Sequence, residues 1–171
     1  MKSIFPYCLL IGVVLLAASA VAATGPNSGC TIQGSWMGIG GNVMLANYDG
    51  QSGFSGTANV ELPKFDPTLG GAFPNAVKNT SARGMWERTG GNTFAYTEIG
   101  YGLDATGNVL WIAKNSGIKT LTDDCNLMTV EGTFAVFSPE ANPFEDAPLL
   151  CRQARPMNLY RMRVDPPCSF E

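Results

Sequence analysis

Between Met128 and Val136, apolar or small side chains recur at every second position: Met128, Val130, Gly132, Phe134 and Val136. Three of the four residues between them, Thr129, Glu131 and Thr133, are polar. A period of two puts one set on a core and the other in water, which an extended strand does and a helix does not. Short segments rich in β-branched and aromatic residues recur along the chain, and strands are expected at 31–38, 43–48, 54–62, 82–88, 93–103, 109–121, 127–137 and 157–164. Turn-forming residues separate them: Asp49-Gly50, Thr89-Gly90-Gly91-Asn92, Asp104-Ala105-Thr106-Gly107-Asn108, and Asp123-Asp124 before Cys125. This is the chemistry of consecutive antiparallel hairpins. Two stretches interrupt the pattern. Residues 63–80 carry Pro63, Pro67, Gly70, Gly71 and Pro74 and read as a long loop with at most a helical turn. Residues 138–156 carry four prolines and read as an irregular crossover. Eight strands are more than one flat sheet tolerates without curling or stacking. The expected fold is all-β, an eight-stranded antiparallel up-and-down barrel whose closure removes exposed edges, with a β-sandwich as the alternative.

The first residues bear on location. Lys2 is followed by an apolar stretch from Cys8 to Leu16 and then by Ala17-Ala18-Ser19-Ala20-Val21-Ala22-Ala23. That order is the pattern of a secretory signal peptide, and the apolar stretch is short for a membrane span. A cut after Ala22, with Ala20 and Ala23 as alternatives, makes 1–22 the signal and 23–171 a single domain. The expected destination is extracellular or periplasmic. No later apolar run reaches the length of a span, so no membrane insertion is expected after cleavage. The net charge of −3 argues against nucleic acid as a partner. Of five cysteines, Cys8 falls in the signal, and Cys30, Cys125, Cys151 and Cys168 are expected to form two disulfides, for which three pairings exist. The chain contains no histidine and no C-x-x-C spacing. Metal and cofactor are therefore not expected, and catalysis by Ser-His-Asp or Cys-His groups is excluded.

Several side chains are candidates for a binding site. Phe94, Tyr96 and Glu98 alternate onto one face of a strand, which makes either an aromatic wall with one carboxylate aimed into a cavity or a hydrated rim. Val109, Trp111 and Ala113 form a second such face, where Trp111 either stacks on a ligand or completes the core. Met44, Met85 and Met128 suit an adaptable pocket or simple gap filling, and Phe134 lies on the apolar face described above. No catalytic residue is assigned. Asp49, Asp66, Asp104, Asp123 and Asp124 lack the spacing of a calcium loop and read as turn residues. Asn79-Thr80-Ser81 is an N-glycosylation sequon in an expected loop, and Gly38-Ile39-Gly40-Gly41 lacks the lysine and helix of a phosphate loop.

Gly34-Ser35-Trp36 at the first strand resembles the G-x-W signature of lipocalins and other calycins. The stretch 84–97, with Gly84, Trp86, Phe94 and Thr97, followed by Asp104-Ala105-Thr106-Gly107-Asn108, is similar to a pattern found in small lipocalin-like proteins. The resemblance spans about 34–137 and implies an eight-stranded barrel. It also implies that Trp36 plugs the closed end, with an arginine of the last strand, Arg161 or Arg163, packed across it. Such a barrel places Cys30, Cys125 and Cys168 at one pole, from which a Cys30–Cys168 bridge, leaving Cys125–Cys151, is expected. The function the resemblance implies is non-enzymatic binding of a small apolar or amphipathic ligand. The alternatives are a filled barrel acting through its surface, or a cyclase- or isomerase-type enzyme using Glu98 and Tyr96.

Overall fold

A computed structural model describes residues 29–39, 44–50 and 53–163. The signal pattern, Cys8, Gly40, Gly41 and Cys168 lie outside the described residues. Among the described residues there are ten strands: β1 (Gly34–Gly38), β2 (Met44–Asp49), β3 (Ser55–Glu61), β4 (Lys78–Asn79), β5 (Ala82–Arg88), β6 (Thr93–Leu103), β7 (Val109–Leu121), β8 (Leu127–Phe137), β9 (Leu150–Gln153) and β10 (Met157–Arg161). All pairings are antiparallel, and the order β1-β2-β3-β5-β6-β7-β8-β10 returns to β1. The fold is thus a closed eight-stranded barrel, not a sandwich, and among the described residues it contains no helix.

The two extra strands lie outside the ring. The long strands β6, β7 and β8 outrun their neighbours, which leaves backbone groups to be paired at the open end. β4 pairs Leu103 and Gly102 of β6 beyond the end of β5, and β9 pairs 133–136 of β8 beyond the end of β10. Both were expected to be loop. The sequon residue Asn79 consequently sits on β4 instead of in a loop. These strands raise the wall around the open mouth.

Inward-facing residues fill the closed half. Trp36, Tyr48, Trp86, Phe94, Met128 and Leu159 are almost wholly buried in one cluster, which extends to Cys30 and Ile32. Burying side chains of this size contributes about 1.5–3 kcal/mol each. The indole of Trp36 donates to Ile32 O at 2.8 Å, and the Arg161 guanidinium lies 4.3 Å from its ring centroid. Arg161 also donates to Cys125 O, Gln33 O and Thr31 O at 2.8, 2.9 and 2.5 Å. Arg163, the other arginine considered, is exposed.

The disulfide departs from expectation. Cys30 pairs with Cys125, their Cα atoms 5.3 Å apart, while Cys151 is exposed on β9 and forms no bridge among the described residues. Cys30 and Cys125 do share the closed pole. The bonds from Arg161 to Thr31 and Cys125 hold the segment before β1 against the β7–β8 turn, across the end of β10. That juxtaposition brings Cys30 and Cys125 within bonding reach, whereas Cys151 on its outlying strand pairs opposite Ala135, away from Cys125's pole.

Candidate functional site

Above the packed half the interior opens into a cavity of about 450 Å³. Its apolar wall includes Met44, Val60, Leu62, Trp111, Phe134 and Met157, and its polar floor includes Glu98 and Asn115. Strand alternation explains the arrangement. On β6 the inward positions run Phe94, Tyr96, Glu98, Gly100 and Gly102, all buried. On β7 they run Trp111, Ala113, Asn115, Gly117, Lys119 and Leu121. The faces narrow to glycine at the mouth, where Gly102 sits directly opposite Trp111 and a Cβ on Gly102 would collide with the indole. The missing side chain is what lets Trp111 lie across the barrel.

The segment between β3 and β4 roofs the cavity. Phe65 packs edge-on against Trp111, with centroids 6.2 Å apart, and at 5.7 Å against Phe134. Phe73 lies 6.5 Å from Trp111, whose Nε1 donates to Pro67 O at 3.0 Å. Asp66 shapes the turn by accepting from the Gly70 amide at 2.8 Å and from the Thr68 hydroxyl and amide at 2.8 and 2.9 Å, and these bonds hold its carboxyl below the ordinary range. Outside the barrel, the 138–149 segment covers Ile112, Ala135 and Phe137 through Ala141. Lys114 anchors it by donating to Pro143 O.

A buried ion pair forms the floor. Lys119 donates to Glu98 Oε1, with both side chains at most 3% exposed. The ammonium lies 3.7 Å from the Tyr96 ring centroid and 4.5 Å from that of Tyr48, so two aromatic faces and one carboxylate enclose it. Burial lowers the Lys119 pKa, and Glu98 partly offsets this. Burial and then the Glu98 charge push both tyrosine hydroxyls above their ordinary range. Tyr48 Oη donates to Glu98 Oε1 at 3.5 Å, and Tyr96 Oη to Asn115 Oδ1 at 3.5 Å.

The sequence candidates divide into two layers. Glu98, Trp111 and Phe134 line the cavity together. Tyr96 lies one layer below, against Lys119. Phe94 and Met128 are deeper, in the packed half, where Phe94 stacks edge-on against Trp86 at 5.7 Å. Of the three methionines, Met44 lines the cavity, Met128 is core, and Met85 is 67% exposed on the outer face. Val109 is exposed because the register shifts at Gly102/Leu103, which breaks its alternation with Trp111. Asp123 accepts from Asn92, and Asp124 from Thr122 and Asn126, so both serve the turn. Sequence reasoning missed Lys119 and Asn115, although continuing the Trp111–Ala113 alternation along β7 reaches both.

No protein-family model, curated protein or solved structure matches this chain.

Proposed function

We propose that this is an exported, lipocalin-like barrel that binds one small apolar or amphipathic molecule without transforming it. The cavity of about 450 Å³ carries the reading. It falls in the ordinary size range of small-molecule sites, about 300–1,000 Å³, and has their composition: aromatic and aliphatic walls with a few convergent polar groups. A barrel packed throughout with side chains would leave no such volume. Trp36 under Arg161 supports the lipocalin-like assignment. The Cys30–Cys125 bridge and the signal pattern of residues 1–22 support export of a single domain, 23–171, into an oxidising compartment.

Titration with N-phenyl-1-naphthylamine, whose emission rises in apolar surroundings, tests this. Saturable binding at one site is expected, and Ala113→Phe, which places a ring inside the cavity, abolishes it while the far-ultraviolet circular dichroism stays that of the parent. Equal binding by parent and variant, or none by either, overturns the proposal.

A further inference from the structure

Glu98 and Asn115 are direct cross-strand partners on β6 and β7, both facing the cavity. Directly opposed residues hold their Cβ atoms roughly 4.5–5.5 Å apart, so the two polar ends present side by side. Their bonds leave a complementary remainder. Both donors to Glu98, Lys119 Nζ and Tyr48 Oη, fall on Oε1, and no described residue donates to Oε2. Asn115 uses Oδ1 to accept from Tyr96, and no described residue accepts from its Nδ2. The floor therefore offers one acceptor and one donor on adjacent groups. It is also already neutral as a unit, because Lys119 balances Glu98 inside the barrel.

We infer that the ligand's buried end is an uncharged group carrying a hydrogen-bond donor beside an acceptor, of the carboxamide or lactam type, with the apolar body running out between Trp111, Phe134 and Met157. This rests on the binding reading above and deepens it. An amide N–H donates to Glu98 Oε2 while its carbonyl accepts from Asn115 Nδ2. A carboxylate would face the Glu98 carboxylate at the floor. An ammonium would compete with Lys119 for Glu98 and leave a buried positive charge without a partner. Lys64, Asp66, Arg152 and Arg155 also border the cavity, but all four are exposed, where water and salt screen them.

Four probes sharing a phenylalkyl body test this by calorimetry: 4-phenylbutyramide, its methyl-ketone isostere 5-phenyl-2-pentanone, 4-phenylbutyrate and 4-phenylbutylammonium. The amide is expected to bind about tenfold or more tightly than each of the other three, since a polar site left unpaired penalises the analogue that lacks the matching group. Asn115→Ala is expected to weaken the amide about tenfold while the far-ultraviolet circular dichroism stays that of the parent. Equal binding of amide and ketone, or tightest binding of either ion, overturns the inference while dye binding keeps the binding reading intact. Failure of the dye and all four probes overturns both.

Discussion

Lys119 and Glu98 neutralise one another inside the barrel, on neighbouring strands, with the ammonium seated between the rings of Tyr48 and Tyr96. Neither charge reaches bulk water, so each depends on the other. Glu98→Gln strands the Lys119 cation and is expected to cost about 3–5 kcal/mol, the usual loss when one partner of a buried pair is removed. The double variant Glu98→Gln/Lys119→Met removes the orphaned charge and is expected to recover most of that loss. Urea denaturation of the parent, the single and the double variant measures both. A double variant no more stable than the single would contradict the pairing.

The two tyrosines around Lys119 make a prediction at high pH. Their folded-state pKa values are raised, so folding holds their protons beyond the point where the unfolded chain releases them. Their stabilising contribution is complete below pH about 10 and is lost as the pH rises above it. Lys119 acts in the opposite sense, because its pKa is lowered, but its effect is spent once the pH passes the ordinary lysine value of about 10.5. Above that point stability is expected to fall by about 1.4 kcal/mol per pH unit for each tyrosine. Tyr96→Phe should remove one such increment of slope in denaturation curves taken between pH 10.5 and 12. An unchanged slope would mean that Tyr96 is not held neutral by its surroundings.

Cys30–Cys125 closes a span of 95 residues. Loop-closure reasoning assigns about 4.7 kcal/mol to a bridge of that length. The variant Cys30→Ser/Cys125→Ser is expected to lose stability on that scale, seen as a lower denaturation midpoint. Peptide mapping without reduction should recover the two cysteines linked together, and a Cys30–Cys168 peptide in its place would contradict the topology of the closed pole.

Gly102 and Trp111 make the mouth sensitive to a single methyl group. Gly102→Ala drives a Cβ into the indole and so displaces Trp111 from under Pro67 and Phe65. The expected cost is about 1–3 kcal/mol, typical of overpacking, with weakened dye binding because the roof loses its contact. Gly91→Ala, at a position where a Cβ meets nothing within 4 Å, serves as the control and should change neither stability nor binding.

Much of this architecture was legible because strand alternation is a local property. The Met128–Val136 pattern, the turn residues and the Gly34-Ser35-Trp36 signature point to a closed barrel, and strands β5 to β8 have the boundaries the periodicity marks. Non-local features were not legible. β4 and β9 exist because β6 and β8 outrun their ring neighbours, which depends on strand lengths elsewhere in the sheet. The disulfide depends on where Arg161 pins two distant segments. At the site, alternation orients Glu98 and Trp111 on their strands but gives no depth along the barrel axis. Depth follows from the stagger between strands, and it separates Glu98 and Phe134 at the cavity from Phe94 and Met128 in the packed half. Lys119 was hidden for a different reason: a lone lysine on a strand reads as solvated until its register partner face is known to carry Tyr96 and Glu98.

The claim that the open half of the barrel holds a small molecule is tested most directly by native mass spectrometry of the protein purified from its native source, before and after organic extraction. The account predicts a single adduct of small-molecule mass that extraction removes, and that Ala113→Phe, prepared identically, lacks. A bare protein mass in every preparation, with the variant indistinguishable from the parent, would contradict it.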